Sequence, residues 1–142
     1  MSWLDWMWDD YANPDNCGYI TFEEIKALLK LKWNLDNVQI TNNDYYLTNL
    51  SSWKKVLFFN NFKWIRYKLD HFDCDSYSLC WMGKVRYIMP GYLIGLVFVD
   101  RGYDKHALNW IITPDFDLLL LEPQTNEIFD LPKKWKPYFA LV

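Results

Sequence analysis

This chain of 142 residues contains a cysteine, a histidine and a glutamate in the order in which thiol catalysts carry them. Cys74 comes first, His106 follows it, and Glu122 lies two residues before Gln124. In thiol catalysis a thiolate attacks a carbonyl carbon, an imidazole moves the proton, a carboxylate orients the imidazole and an amide stabilises the oxyanion. The order therefore predicts a Cys–His–Glu site. Gln124 would lie beside the oxyanion if the chain stays extended through Pro123.

Cys74 is predicted to lie in the first turn of a helix. One helical face follows it, consisting of Tyr77, Ser78, Trp81 and Val85. The positive end of the helix dipole favours a thiolate there. The flanking Asp73 and Asp75 oppose it, so activation must come mainly from an imidazolium or from a cation bound to these acids.

The proposed base and its partner are predicted to lie at strand ends. His106 precedes the apolar run of residues 107–113, and Glu122 follows the run of residues 118–121. Across a hairpin the carboxylate can accept a hydrogen bond from the imidazole. His71, on the segment that leads to the helix, is the alternative base.

The rest of the pattern predicts helices followed by strands. Thr21 and Glu24 form a capping-box sequence that starts a first helix, and Ser51 or Ser52 starts a second. The alternation of residues 64–69 predicts an extended segment. Short apolar runs separated by turn residues predict strands at 38–41, 45–47, 93–99, 107–113, 118–121 and 138–142. Helices first and strands afterwards imply an α+β domain with an antiparallel sheet.

The composition and the first residues argue against several classes of protein. The net charge of -3 argues against a dedicated nucleic-acid binder, which carries a basic excess. The first residues lack the basic and apolar regions of a secretory signal, and no apolar run is long enough to span a bilayer. Three cysteines leave at least one free thiol. We therefore expect a soluble cytoplasmic or virion-associated protein, without a membrane or nucleic-acid partner.

Several short segments together resemble one protein family. They are residues 21–25, 72–78, 95–99, 106–109, 121–126 and 135–139. They resemble the agglutinin C-terminal domain, the papain-like half of a mushroom agglutinin, which also occurs alone in bacterial and phage proteins. The resemblance covers residues 20–142, so that residues 1–19 are an N-terminal arm of a single 1–142 domain.

The resemblance implies a papain-like cysteine peptidase fold, with Cys74 as nucleophile, His106 as base and Glu122 as orienting acid. It implies that Gln124 lies at an oxyanion position, with Tyr67 on the same side, where the mushroom protein has a Trp. A peptide or protein substrate follows from the same resemblance, and the oligomeric state stays open. The mushroom enzyme is calcium-activated and carries a sugar-binding domain that this chain lacks.

Three acids near the nucleophile are candidate ligands for calcium. Asp70, Asp73 and Asp75 supply the oxygen ligands that Ca²⁺ prefers. A bound cation would also relieve their repulsion of the thiolate. The alternative is a solvated acidic loop in which Asp73 caps the helix.

Two further functions are compatible with the same residues. A non-enzymatic binding or structural module, such as a virion or host-interaction component, can keep the scaffold without the reaction. The aromatic fraction of 20% suits such a sugar or protein surface. Transglutaminase-like acyl transfer uses the same thiol, imidazole and carboxylate but passes the acyl group to an amine.

Overall fold

The computed structural model describes residues 14–58 and 60–142. Its helices are α1 (Phe22–Trp33), α2 (Leu50–Phe58) and α3 (Cys74–Ile88), and a 3-10 turn spans Phe62–Trp64. Over these two ranges, no helix combines the length and the apolar character that crossing a bilayer requires. Of the predicted N-terminal arm, residues 1–13 lie outside the described residues.

The strands form one small and one large sheet. They are β1 (Tyr19–Thr21), β2 (Val38–Gln39), β3 (Asp44–Tyr46), β4 (Gly95–Asp100), β5 (Lys105–Ile112), β6 (Leu118–Glu122), β7 (Glu127–Phe129) and β8 (Lys136–Leu141). β1 pairs with β3, and the large sheet has the order β2–β8–β4–β5–β6–β7. Its neighbours are antiparallel except for the short parallel pair of β2 and β8. The predicted α+β class with a largely antiparallel sheet is confirmed.

Both faces of the large sheet are apolar, because successive strand residues point to opposite sides. Leu96 packs in a cluster with α2 and α3, whereas its neighbour Val97 packs in a cluster with α1. The same alternation separates Trp110 from Ile111. The helical residues that cover the sheet are Ile25, Leu29 and Trp33 on one face, and Trp53, Val56, Trp81 and Val85 on the other. The helix that begins at Cys74 is thereby packed onto the sheet.

The first two helices begin with side-chain caps, one as predicted and one not. Thr21 accepts a hydrogen bond from the Glu24 N–H, and the Glu24 carboxylate accepts one from the Thr21 N–H, at 3.3 and 2.9 Å. In α2 the Asn49 side chain accepts from the Ser52 N–H at 2.8 Å. The predicted cap at Ser51 or Ser52 is wrong, because Asn49 is an equally good cap and comes first.

Residues 64–69 form no strand, and of the predicted extended segment Ile65 has an extended backbone. The chain makes the 3-10 turn Phe62–Trp64, and afterwards Lys68 pairs only in an isolated bridge with Phe72. Trp64 is 79% exposed. The alternation of apolar and polar residues here therefore does not mark a buried strand face.

Gly95, at the start of β4, has no room for a side chain. A Cβ atom there would lie 2.3 Å from Trp110 Nε1 and 2.7 Å from the Leu141 carbonyl oxygen. Since a buried indole and a strand backbone cannot move aside easily, we expect Gly95→Ala to lower the free energy of unfolding by about 3 kcal/mol. Urea denaturation measures this effect.

Gly83→Ala, inside α3, is the matched control. A Cβ atom at Gly83 meets nothing within 4 Å. Alanine favours a helix interior over glycine, so this variant should gain up to about 1 kcal/mol. If Gly95→Ala and the wild type unfold with the same urea midpoint, the close packing of Gly95 against Trp110 is contradicted.

Candidate functional site

A cleft of about 370 Å³ lies where the N-terminus of α3 meets the strands of the large sheet. It is lined by Tyr67, Cys74, Arg101, Asp104, Lys105, His106, Glu122, Gln124 and Thr125. The five predicted catalytic and oxyanion-side residues are all among them. The fold therefore brings together side chains that are far apart along the chain.

Two buried polar side chains fix α3 against β5. The Ser78 hydroxyl lies 2.9 Å from the Cys74 carbonyl oxygen and 3.2 Å from that of Ala107. The Asn109 amide donates to the Ser78 carbonyl oxygen at 3.0 Å. These bonds join the first turn of the helix to the strand that carries His106. The backbones of Cys74 and His106 are thus held in a fixed relation.

His106 is buried beside a carboxylate. Its Nε2 lies 2.5 Å from Glu122 Oε2, and the two side chains are only 9% and 11% exposed. Burial by itself lowers the pKa of His106, but hydrogen bonding to Cys74 and to Glu122 outweighs it and raises this pKa to about 9. The ring is therefore an imidazolium at neutral pH. Its Nε2–H donates to Glu122 Oε2.

Cys74 is the first residue of α3, and its half-buried thiol forms no disulfide. The sulfur lies at the positive end of the helix dipole and interacts with the His106 imidazolium. Attacking thiols in thiol enzymes are found in positive surroundings of this kind. The alternative base, His71, is exposed and does not line the cleft.

Gln124 reaches the cleft through a turn and not through an extended chain. Residues 123–126 form a turn after β6, in which the Asn126 N–H donates to the Glu122 carbonyl oxygen at 2.8 Å. The chain is therefore not extended through Pro123, which was the condition for placing Gln124 on the same face as Glu122. Asn126 has the positive φ of 65° that so tight a reversal needs. The Gln124 backbone N–H donates to Glu122 Oε1 at 3.2 Å. The turn thus also fixes the carboxylate that orients the imidazole.

Asn60 holds the same turn from the opposite side and was not predicted. Its side chain is 1% exposed, and its amide donates to the Pro123 carbonyl oxygen at 2.7 Å and to Asn126 Oδ1 at 2.9 Å. Asn126 in turn donates to the Leu57 carbonyl oxygen at 3.0 Å. A single asparagine after a helix carries no sequence signal for contacts of this range.

Tyr67 lines the cleft, as expected, and is 48% exposed. Its ring stacks on that of Tyr77, with centroids 6.4 Å apart and planes at 15°. Desolvation raises the pKa of Tyr67, and negative charge on Cys74 and Asp73 raises it further. The phenol is therefore a proton donor at neutral pH, close to the thiol.

The β4–β5 turn adds charged residues that were not predicted. The Arg101 guanidinium donates to both carboxylate oxygens of Asp104, at 2.6 and 2.5 Å. It also lies over the rings of Tyr103 and Trp135, 5.1 and 5.4 Å from their centroids. The position of this turn, directly before His106, is the sequence signal that could have identified it.

The three acids near Cys74, the predicted calcium ligands, interact with one another and with the backbone. Asp70 donates its backbone N–H to Asp73 Oδ2 at 3.3 Å, so it does not contribute its carboxylate to that contact. A hydrogen bond between Asp73 and Asp75 raises the pKa of Asp75 and lowers that of Asp73. Across residues 14–58 and 60–142, no three His, Cys, Asp or Glu side chains are arranged to hold a metal. Asp73 does not cap α3 with its side chain either.

Calcium binding stays a prediction. If Asp70, Asp73 and Asp75 do bind Ca²⁺, calorimetry should record heat and the melting temperature should rise with calcium. Asp73→Asn should remove both effects, whereas Asp115→Asn, in the exposed β5–β6 turn, should change neither. The absence of heat and of a melting shift would end the hypothesis.

No protein-family model and no curated protein matches the chain. Solved structures do share its fold. One, described as the PSL1a-E64 complex, has a TM-score of 0.76 and 20% identity over 87% of this chain. Another is a Polyporus squamosus lectin bound to the human-type influenza-binding epitope Neu5Aca2-6Galb1-4GlcNAc, with a TM-score of 0.74 and 21% identity over 87% of this chain. The chain spans about half of each, 50% and 49%.

These findings correct the family assignment. A structure that shares the fold is described as a lectin, neither description names a peptidase, and no family model matches the chain. The assignment to an agglutinin-type cysteine peptidase domain is therefore wrong, and the hydrolase activity and peptide substrate that were inferred from it lose that support. The comparisons show a shared α+β fold, but they do not show that this fold is papain-like. At about 20% identity the likeness carries no function, so function must be inferred from the cleft.

Proposed function

We propose that this chain is a binding module whose ligand enters the cleft at Cys74. The observation that carries the proposal is the cleft of about 370 Å³, where polar groups from separate segments converge on one concave site. Arg101, Lys105 and Gln124 offer hydrogen-bond donors that can orient a ligand. A sugar is the first class to test, because a lectin with this fold is described with a bound oligosaccharide.

Binding is tested with the lectin's own trisaccharide as the first probe. Protein NMR should show shifts at cleft residues, and Gln124→Ala should weaken binding by about tenfold. Cys74→Ala should leave the affinity unchanged if the thiol takes no part in binding. A glycan panel that moves no resonance of the cleft would contradict the sugar-binding form of the proposal.

Cys74 lines the same cleft as the hydrogen-bonded pair of His106 and Glu122, which favours a second candidate function, acyl transfer through the thiol. The Cys74 thiolate would attack a carbonyl carbon of the ligand, with Gln124 beside the developing oxyanion. The imidazolium of His106 gives its proton to the departing amine, and a thioester with Cys74 remains. Glu122 keeps the ring oriented and stabilises its positive charge.

The thioester is then resolved by a second amine. This amine attacks the thioester carbon, His106 takes the proton that the amine loses, and the Cys74 thiolate leaves as a new amide forms. The thiolate–imidazolium pair is restored, so each proton and bond is accounted for. The ligand acyl group has moved from one nitrogen to another.

A glutaminyl peptide and monodansylcadaverine test the acyl-transfer function together. Fluorescent product with loss of ammonia is expected for the wild type and not for Cys74→Ser. Tyr138→Phe, outside the cleft lining, is the control and should keep the activity. If cleft ligands still bind but no cross-linked product forms, the chain is a binding module alone.

A further inference from the structure

The carboxylates that line the cleft are already engaged with groups of the protein itself. Asp104 accepts two hydrogen bonds from Arg101. Glu122 accepts one from the His106 ring and one from the Gln124 backbone N–H. Neither acid is therefore available to attract a cationic ligand.

The cations of the cleft are less fully engaged. The bonds to Asp104 use two of the five N–H groups of the Arg101 guanidinium, which leaves three. Lys105 forms no ion pair with any residue of the described ranges, and its Nζ lies 5.2 Å from the centroid of the Tyr138 ring. Both side chains line the same cleft as Cys74.

Arg101 is held in place before any ligand arrives. Asp104 fixes the guanidinium plane through two bonds, and the rings of Tyr103 and Trp135 lie under it at 5.1 and 5.4 Å. The Arg101 side chain is only 20% exposed. A guanidinium fixed in this way needs little further ordering to bind an anion, which strengthens its contribution.

We propose that the cleft selects a ligand that carries a carboxylate close to the atom that reaches Cys74. The proposal rests on the proposed use of the cleft as a ligand site, and it names the ligand class. Arg101 and Lys105 supply the positive field and the donors, because carboxylate geometry matches an arginine and charge complementarity favours an anion. A neutral ligand gains neither contact.

Two alkylating reagents that differ only in charge test this selection. The Cys74 sulfur displaces iodide from the same CH₂ group of either iodoacetate or iodoacetamide, so the ratio of the two rates isolates the effect of the carboxylate. Relative to the ratio for glutathione, we expect Cys74 to favour iodoacetate by about tenfold. Arg101→Gln and Lys105→Gln should each lower this preference about threefold.

Controls separate the field of the cleft from general charge. Lys136→Gln removes a lysine that does not line the cleft and should keep the wild-type ratio. Raising NaCl from about 20 mM to about 500 mM should reduce the preference in the wild type, because salt screens the field. Lys105→Gln leaves the Arg101–Asp104 pair intact, so it tests the proposal if Arg101→Gln misfolds.

The rate ratio tests the selection of a carboxylate, whereas the absolute rate of Cys74 labelling tests acyl transfer. A wild-type ratio equal to that of glutathione, or a high ratio that neither variant lowers, would overturn the selection of a carboxylate. The ratio can be measured even if Cys74 reacts no faster than Cys80. Slow labelling of Cys74 by iodoacetamide therefore counts against acyl transfer alone.

Discussion

Iodoacetamide is expected to alkylate Cys74 about tenfold faster than Cys80 at pH 7. An ordinary thiol with a pKa near 8.5 is only about 3% ionised at this pH, so full ionisation is worth about 30-fold. The lower nucleophilicity of a stabilised thiolate reduces this gain to about tenfold. Cys80 is a fair internal reference because it lies on the same helix and is also half-buried.

The imidazolium is the expected source of this difference. His106→Gln should bring the Cys74 rate down to that of Cys80, because glutamine carries no charge. Glu122→Gln should have an intermediate effect, since the ring then loses its anionic partner. His71→Gln, an exposed histidine outside the cleft, should change nothing. Peptide mass spectrometry gives both rates in one sample, and equal labelling in the folded wild type would contradict the thiolate–imidazolium pair.

Local signals were enough to place the three candidate catalytic residues on their elements. Cys74 begins a helix because an apolar face follows it at helical spacing, and the helix starts there in the structure. His106 lies near the start of β5 and Glu122 ends β6, as the apolar runs on either side of their hairpin predict. The chemical roles of these residues stay predictions, which the labelling experiment tests.

The parts that sequence reasoning missed depend on distant contacts or on very short elements. Strand β7 has three residues directly after a tight turn, too few for an alternating pattern to be recognised. Arg101 lines the cleft because it lies in the β4–β5 turn, which borders this cleft. Asn60 is buried because the turn of residues 123–126 closes over its amide. The position of its turn directly before His106 is the one sequence signal for Arg101, and no local pattern marks Asn60.

Pattern reasoning failed where one pattern has two explanations. The alternation in residues 64–69 suits a strand, yet these residues follow a 3-10 turn and Trp64 and Leu69 face solvent. Similarly, Pro123 is compatible with an extended strand or with a turn. The left-handed conformation available to Asn126 decides for the turn.

Raising the pH from 6.5 to above 9 is expected to remove a stabilising contribution that depends on His106. The folded pKa of about 9 exceeds the unfolded value of 6.5, so the folded protein binds the proton more tightly. The stabilisation is therefore complete below pH 6.5 and declines as the pH rises through 9. One pKa unit corresponds to about 1.4 kcal/mol, and partial solvent access reduces the total to about 2 kcal/mol.

Urea denaturation of wild type and His106→Gln at pH 6, 7.5 and 9.5 measures this contribution. The variant should be less stable by about 2 kcal/mol more at pH 6 than at pH 9.5, and His71→Gln should follow the wild-type curve at every pH. Other titrating groups, such as Tyr67, are common to the proteins compared and cancel in the difference. Parallel pH curves for wild type and His106→Gln would mean that folding leaves the pKa of His106 unchanged, so that the ring is mostly neutral above pH 7. An imidazolium could then no longer explain fast labelling of Cys74. The two experiments therefore examine the same proton on the His106 ring, one through stability and the other through reactivity.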